Sequence, residues 1–176
     1  MAKLHGFDIR ERLQLLDERV DLEFAGDGRF QVVIVGGGAL VLRGYLSRST
    51  DDIDVLGTDN RLYGIMEFYD VNGDVNAYMD SFPYNYEDRV EPLWSGRKID
   101  YYTASLEDIV IAKLCSSRGD DMTDIELVAE HINWEVLKSL AHDQNEVKAS
   151  VLSDRRYSDF LANYETFERR FRPCGG

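Results

Sequence analysis

VVIVGGGALVLRGYLSRSTDDIDVL, residues 32–56, is the stretch that decides the fold of this 176-residue chain. It begins with a run of β-branched residues that has the length and composition of a buried strand, and the run stops at three glycines. Apolar residues then recur at roughly helical spacing, which predicts a glycine turn that opens a helix. Because the free N–H groups at a helix start attract anions, the turn is a candidate anion site.

Asp52 and Asp54 lie at the other end of the same stretch and form a candidate cation site. Ile53, Val55 and Leu56 predict a strand, and side chains two residues apart on a strand share one face. The two carboxylates are therefore expected to point the same way. A turn that holds phosphate and a carboxylate pair that holds Mg²⁺ are the two halves of a nucleoside triphosphate site.

The order of these features resembles the DNA polymerase β-like nucleotidyltransferase superfamily, whose pattern is a strand, Gly-Gly or Gly-Ser, a short helix and Asp-x-Asp. Here Gly36-Gly37 is followed by fourteen residues and then by Asp52-Ile53-Asp54. Two further features, Ala39-Leu40 and the Arg-x-Thr-x-Asp-Ile-Asp run that starts at Arg48, resemble the AbiEii-type branch. That branch contains nucleotidyltransferase toxins of abortive-infection systems and their relatives.

The resemblance implies an enzyme that moves a nucleoside monophosphate from a nucleoside triphosphate to an acceptor hydroxyl, with RNA or tRNA as the favoured acceptor. It implies that Asp52 and Asp54 are catalytic and bind Mg²⁺, with Mn²⁺ as an alternative cofactor. The glycine pair, Arg48 and Thr50 are the expected nucleotide-binding residues. Because proteins of this type are often paired with an antitoxin, an antitoxin protein is an expected partner.

Asp100 is the candidate for a third catalytic and metal-binding carboxylate. Residues 98–103 are predicted to form a strand in which Lys98, Asp100 and Tyr102 share one face. Enzymes of the resembled superfamily carry a third carboxylate on a strand beside the Asp-x-Asp pair. The alternative is an edge-strand aspartate turned toward solvent.

Lys113 is a second unusual residue, because it falls within the apolar face of a predicted helix. Ser105 and Asp108 form a start like a capping box, and the helix continues through Leu114. A buried lysine is costly unless its ammonium meets an anion. Its side chain is thus expected either to extend outward or to reach a charged site.

The AbiEii resemblance favours the charged site for Lys113. Proteins of that type carry Lys-Leu, then Arg, then Asp-x-x-Asp after the core sheet, and Lys113-Leu114, Arg118, Asp121 and Asp124 match this order. The resemblance therefore implies a catalytic Lys113 and nucleotide-binding roles for Asp121 and Asp124. Asp120 departs from the pattern, since it stands where the family usually has a basic residue.

These elements predict an α+β fold, with a small mixed β-sheet nucleotidyltransferase core flanked by helices and a C-terminal helical region. The expected organisation is a core over residues 1–104, a helical region over 105–172 that completes the same compact unit, and a disordered tail over 173–176.

Residues 70–76 are predicted to be a polar turn, because they fail the calcium-loop pattern of EF-hands. The remaining predicted helices cover residues 8–20 with Asp8 as N-cap, 61–69, 76–82, 127–132, 134–141, 146–151 and 154–171, and a further strand covers 89–93.

The net charge of −13 disfavours a general nucleic-acid binder, because such proteins grip phosphates through basic residues. A local basic rim is still an open alternative, because three arginines lie near the proposed site in sequence, namely Arg43, Arg48 and Arg61. The sequence contains no apolar run of membrane-spanning length and no signal peptide, so a soluble cytoplasmic protein without a membrane partner is expected.

Three alternatives to an active RNA-modifying enzyme stay open. One is a nucleotide-binding protein of the same fold with weak catalysis. Another is a nucleotidyltransferase that acts on a small hydroxyl compound of the antibiotic type. The third is a dinucleotide-binding Rossmann domain, although Val41 stands where the Gly-x-Gly-x-x-Gly/Ala fingerprint requires a small residue.

Overall fold

The computed structural model of the protein describes residues 3–73, 81–116 and 118–175. The fold is α+β with a mixed sheet, which confirms the predicted class. The strands are β1 (Phe30–Val35), β2 (Ile53–Leu56), β3 (Val71–Asn72), β4 (Glu91–Ser95) and β5 (Ile99–Thr103). The helices are α1 (Gly6–Glu23), α2 (Gly36–Leu42), α3 (Tyr63–Phe68), α4 (Leu106–Ser116), α5 (Gly119–Val128), α6 (Trp134–His142), α7 (Ala149–Val151) and α8 (Asp154–Phe171). Short 3₁₀ turns cover Asn60–Leu62, Tyr86–Arg89 and Ala129–His131, and a π-helical turn covers Gln144–Lys148.

The chain divides into two compact units. The first unit contains Met1–Val75 and Val90–Ala104, and the second contains Asn76–Arg89 and Ser105–Gly176. The sheet and the glycine turn belong to the first unit, and α4 to α8 belong to the second. The expected organisation as a core and a helical region within one compact unit stays a prediction.

The sheet of the first unit has the strand order β3-β2-β1-β5-β4. β1 pairs with β5 in parallel and with β2 in antiparallel orientation, while β4 pairs antiparallel with β5. In a Rossmann domain, a strand, a helix and the next strand form a crossover unit whose two strands are parallel. Here the two strands joined by α2, β1 and β2, are antiparallel, so they do not form that unit. This topology excludes the dinucleotide-binding alternative.

β1 is the central strand because its apolar residues allow burial on both faces. All of its side chains are buried except that of Gln31. α1 covers one face of the sheet, where the Tyr101 hydroxyl donates a hydrogen bond to the Leu13 carbonyl oxygen at 2.6 Å. α1 begins before Asp8, whose carboxylate accepts a hydrogen bond from the His5 backbone N–H at 2.8 Å. Asp8 thus belongs to the first helical turn and not to the predicted N-cap position.

Asp17 joins α1 to the turn between β4 and β5. Its buried carboxylate accepts hydrogen bonds from the backbone N–H groups of Arg97, Lys98 and Ile99, at 2.6, 2.8 and 2.7 Å. An ideal Cβ on Gly96 would lie 2.5 Å from the Asp17 carboxyl carbon, so only glycine fits at that position. Burial removes water from this carboxylate, and the three hydrogen bonds compensate for the lost hydration. Asp17 therefore fixes the turn against α1.

Several predicted boundaries differ from the observed ones. Val71 and Asn72 form β3 beside β2 where a polar turn was expected, because their backbone pairs with Ile53 and Asp54. β4 begins later than the predicted residue 89, because the 3₁₀ turn Tyr86–Arg89 precedes it. α5 begins at residue 119, earlier than the predicted 127. The helix expected over residues 61–69 is confirmed as a 3₁₀ turn followed by α3. Residues 76–80 of the helix expected over 76–82 lie outside the described residues.

The second unit is built around α4, which contacts α5, α6 and α8. α8 buries Phe160, Tyr164 and Phe167 on one side, as its spacing predicted. Arg89 joins α4 to the π-helical turn, since its guanidinium donates to the carboxylates of Asp108 and Glu146. No helix in the described ranges of the chain is both long enough and apolar enough to span a membrane.

Candidate nucleotide site

The glycine turn joins β1 to α2 and lies directly against Asp54. Gly36 has φ of +64°, a left-handed conformation that glycine adopts without the steric penalty of a side chain. An ideal Cβ on Gly36 would lie 3.6 Å from Oδ2 of Asp54. This approach follows from the register, in which Asp54 at the start of β2 pairs with Val35 at the end of β1. The structure therefore brings the predicted anion turn and a predicted metal ligand together.

Arg48 and Thr50 lie over the second glycine of the turn. An ideal Cβ on Gly37 would lie 3.4 Å from Nη2 of Arg48 and 3.5 Å from Oγ1 of Thr50. The backbone of Thr50 is held by two hydrogen bonds with Leu4, at 2.7 and 2.8 Å. Both predicted nucleotide-binding side chains thus meet the predicted glycines.

Asp52 lies beside the third glycine and just before β2. Its carbonyl oxygen would lie 3.4 Å from an ideal Cβ on Gly38 and accepts a hydrogen bond from the Thr50 hydroxyl at 3.2 Å. The Asp52 side chain is exposed and forms no ion pair with any residue that the structure describes. The site accordingly combines one exposed carboxylate, that of Asp52, with the half-buried carboxylate of Asp54.

Asn72 is a site residue that the sequence reasoning missed. Its Nδ2 donates a hydrogen bond to Oδ1 of Asp54 at 3.0 Å, because β3 pairs with β2 so that Asn72 is opposite Asp54. The same carboxylate has its Oδ2 against Gly36. A strand of two residues has too little alternation to be recognised from sequence, so no sequence signal could have assigned this role.

Asp100 is not brought to the aspartate pair, and this corrects its expected role as third metal ligand. Asp100 pairs with Gln31 whereas Asp54 pairs with Val35. These β1 positions are four residues apart, which is about 13 Å at about 3.3 Å per residue. Carboxylates that share one Mg²⁺ must lie within about 5 Å of each other. The Arg29 guanidinium instead binds both Asp100 oxygens, at 2.6 and 3.0 Å, and this hydrogen bonding lowers the pKa of Asp100.

Of the three arginines of the predicted basic rim, Arg48 is the one that the structure places at the glycine turn. Arg61 follows β2 at its other end, where its guanidinium pairs with Asp59 at 2.9 Å and with Asp27 at 3.4 Å. Arg43 donates a hydrogen bond to the Thr103 hydroxyl at 3.3 Å and pairs with a glutamate of β4.

Lys113 belongs to the second unit, where it lies between two carboxylates. Its Nζ is 2.7 Å from Oδ1 of Asp121 and 3.0 Å from Oδ2 of Asp124, and its side chain is 8% exposed. Arg118 donates to Asp121 at 2.9 Å, and Ser116 also donates to this carboxylate. Burial alone would raise the pKa of Asp121, but the hydrogen bonds from Lys113 and Ser116 bring that pKa below its ordinary value. The lysine meets anions supplied by the chain itself instead of extending outward.

A family model described as "Nucleotidyltransferase of unknown function (DUF6036)" matches residues 11–172. The chain belongs to this family. The match covers most of both compact units and supports nucleotidyl transfer in general, while the narrower AbiEii-type assignment stays a prediction. No curated protein and no solved structure matches the chain.

The sequence predicts a Mg²⁺ site, and the donor set at the glycine turn fits that ion. Among the described residues, no group of three or more His, Cys, Asp or Glu side chains could hold a metal ion. Mg²⁺ at nucleotide sites is commonly bound through one or two carboxylates together with substrate phosphates and waters. Asp52 and Asp54 supply two carboxylates next to the turn that is predicted to hold phosphate, so the residues present fit this mode of binding.

Proposed function

We propose that this nucleotidyltransferase moves a nucleoside monophosphate from a magnesium-bound nucleoside triphosphate to an acceptor hydroxyl at the glycine turn of its first unit. The observation that carries the proposal is the 3.6 Å approach between the position of a Cβ on Gly36 and Oδ2 of Asp54. A phosphate on the glycines and a cation on Asp54 would then be adjacent. That adjacency is what transfer at an α-phosphorus requires.

Each residue of the site has a distinct part in the proposed reaction. Asp52 and Asp54 hold Mg²⁺, or Mn²⁺ in its place, and the Gly36-Gly37 backbone and Arg48 hold phosphate oxygens. The bound metal supplies charge neutralisation and in-line alignment of the attacking and leaving oxygens. The acceptor oxygen forms a bond to the α-phosphorus, the bond to pyrophosphate breaks, and the hydroxyl proton passes to solvent.

Lys113, Asp121 and Asp124 have two proposed roles. The roles implied by the family resemblance are countercharge to the triphosphate for Lys113 and nucleotide binding for the two aspartates. The ion cluster supports a further role, in which the lysine holds α4 and α5 together through two carboxylates.

RNA or tRNA is the proposed acceptor, with a toxin of the AbiEii type and an antitoxin partner in the cytoplasm as the biological setting. The resemblance of residues 36–54 supports this setting. The net charge of −13 opposes extended contact with RNA and favours a small hydroxyl compound as the competing acceptor.

A nucleotide-binding protein with weak catalysis is the second candidate function. The position of Asp100 favours it, since the metal site then has two carboxylates where the resembled superfamily uses three. Such a protein would bind magnesium nucleotide tightly without measurable transfer.

Incubation of the purified chain with nucleoside triphosphates labelled at the α-phosphate tests the proposal. Each of the common nucleotides is offered with Mg²⁺ and with total tRNA, other RNA or a panel of small hydroxyl compounds. We expect label transfer to one acceptor class, and we expect Asp54→Asn and Asp52→Asn to reduce it by about a hundredfold or more, in the range of key electrostatic groups.

Asp51→Asn is the matched control, because it removes an exposed carboxylate one residue before the pair. This variant should retain transfer, and circular dichroism should show all three variants folded. Unchanged transfer by Asp54→Asn would reject the assigned site. Magnesium-dependent nucleotide binding without transfer to any acceptor would favour the second candidate.

A further inference from the structure

α1 has a second row of apolar side chains on its solvent side. The buried row, which packs in the core, consists of Ile9, Leu13, Leu16 and Val20. Leu15 and Leu22 are 45% and 76% exposed, and their spacing of seven residues places them on one face two turns apart. One apolar face is sufficient for a helix that covers a sheet. The outer row is therefore not explained by the packing of this unit.

A groove of about 330 Å³ between α1 and α3 borders the outer row. It is lined by Arg19, Glu23, Gly64, Ile65, Phe68 and Tyr69. Arg19 follows Leu15 by four residues and precedes Leu22 by three, so the row and the groove are neighbours on the helix surface. Phe68 is 81% exposed at the groove. We call the outer row and the groove together the α1/α3 surface.

Exposed apolar side chains are concentrated on these two helices. Within the described chain, five of the nine exposed large hydrophobic side chains lie on α1 and α3, namely Phe7, Leu15, Leu22, Tyr63 and Phe68. Isolated exposed leucines need no explanation, but exposed apolar side chains grouped on two neighbouring helices, with Phe68 in the groove between them, indicate a contact surface.

The charges that flank the α1/α3 surface and lack a partner are acidic. Glu11 and Glu18 each precede a leucine of the outer row by four residues and thus lie beside it. Neither they nor Glu67 forms an ion pair with a described residue. The nearby Arg19 is already paired with Glu23 at 2.5 Å. A partner that docks here meets apolar side chains bordered by unpaired negative charge.

We propose that the α1/α3 surface binds a basic amphipathic helix of another protein. The apolar face of that helix would pack on Leu22 and Phe68, while flanking lysines or arginines would face Glu11 and Glu18, as in helix-in-groove recognition. The outer row spans about 10 Å at 1.5 Å per residue, which two turns of a partner helix cover.

The charge pattern argues against the other occupants of such a surface. In a twofold dimer each copy would present the same acidic side chains to its mate, and like charges at an interface repel. The net charge of −13 adds to that repulsion, and it repels RNA and anionic membranes in the same way. A basic partner removes the repulsion instead.

Selection from a phage-displayed library of helical peptides against the full chain tests the proposal. We expect enriched peptides to carry an apolar row flanked by lysine or arginine. The best peptide, made synthetically and followed by fluorescence anisotropy, should bind about tenfold or more weakly to Leu22→Ala and to Phe68→Ala, as for central interface side chains. Glu18→Lys and added salt should also weaken binding, because both reduce the charge attraction.

Leu152→Ala is the matched control, because Leu152 is 83% exposed in the second unit. It should leave the peptide affinity unchanged, and thermal melting should show every variant folded. Enrichment of peptides without a basic excess, or equal weakening by Leu152→Ala, would overturn the proposal. Light scattering that shows a dimer converted to monomer by Leu22→Ala would assign the surface to a second copy of the chain. A selection with no peptide sensitive to Leu22 and Phe68 would also overturn the proposal.

Discussion

At the scale of single residues, Asn72 fixes the orientation of Asp54. Its amide donates to Oδ1 of the carboxylate at 3.0 Å, while Oδ2 faces the glycine turn. Asn72→Ala removes this donor and lets the carboxylate rotate. Loss of a group that orients a metal ligand typically weakens metal binding by about 10- to 100-fold, so we expect a loss of Mn²⁺ affinity in this range. Titration of Mn²⁺ followed by electron paramagnetic resonance measures it.

Asn60→Ala is the control for this prediction, because it removes an exposed asparagine elsewhere in the first unit. It should bind Mn²⁺ like the unaltered chain. Equal affinity for Asn72→Ala and the unaltered protein would show that the hydrogen bond has no influence on the proposed metal site.

Gly36 has a conformational requirement that can be separated from its contact with Asp54. Its φ is +64°, where an L-residue pays about 1–2 kcal/mol. An added Cβ would meet Oδ2 of Asp54 at 3.6 Å, an ordinary contact, so the penalty is in the backbone. We therefore expect Gly36→Ala to lower the free energy of unfolding by about 1–2 kcal/mol in urea denaturation.

Gly64→Ala is the matched substitution, because Gly64 lies in α3 with no atom within 4 Å of an ideal Cβ. There the change should be neutral or stabilising by up to about 1 kcal/mol, since alanine has less freedom to lose on folding. Destabilisation of similar size at both positions would contradict the assignment of backbone strain to Gly36.

At the scale of secondary-structure elements, Lys113 joins α4 to α5. Lys113→Met leaves the carboxylates of Asp121 and Asp124 buried without their shared cation. Breaking a buried pair in this way costs about 3–5 kcal/mol, and we expect a loss of this order in the free energy of unfolding, measured in urea. Lys138→Met, at an exposed position of α6, should change the same quantity by less than about 0.5 kcal/mol. A loss as small as that of the control would refute the stabilising role of the cluster.

Asp121 gives the same cluster a pH dependence. Burial opposes its ionisation, but the hydrogen bonds from Lys113 and Ser116 prevail and lower its pKa. A carboxylate with a lowered pKa in the folded state stabilises the protein fully above its unfolded pKa of about 3.9 and loses that effect as pH falls through the folded pKa. We expect Asp121→Asn to be less stable at neutral pH and to lose less stability on acidification. Urea denaturation at several pH values measures this, and parallel curves for both proteins would contradict it.

Elements with a local signature were predictable, whereas positions that depend on strand register were not. The β-branched run and the glycines of residues 32–38 define β1 and its turn by composition alone. The alternation in β5 predicts which side chains share a face with Asp100, but period two carries no information on the offset between β5 and β1. That offset places Asp100 about 13 Å along the strand from Asp54. Asn72 was missed for the same reason, because its role arises only when β3 pairs with β2.

At the scale of the whole molecule, excess negative charge should oppose folding at neutral pH. The chain has 33 acidic and 20 basic residues, so pairs of opposite charge cannot neutralise all of its carboxylates. Salt screens repulsion between exposed charges, although it also weakens exposed pairs such as Arg61 with Asp59. Because acidic residues are in excess, we expect repulsion to dominate. Raising NaCl from about 20 to about 300 mM near neutral pH should then increase Tm by a few degrees, as self-repulsion is relieved.

The isoelectric point supplies the control for this prediction. Near pH 4.6 the net charge vanishes and little repulsion is left to screen, so the same salt step should hardly change Tm. Scanning calorimetry at both pH values separates screening from a general effect of salt on apolar burial, because burial does not depend on net charge. An equal rise in Tm at both pH values would assign the effect to burial. A fall at neutral pH would mean that exposed ion pairs outweigh the excess of carboxylates.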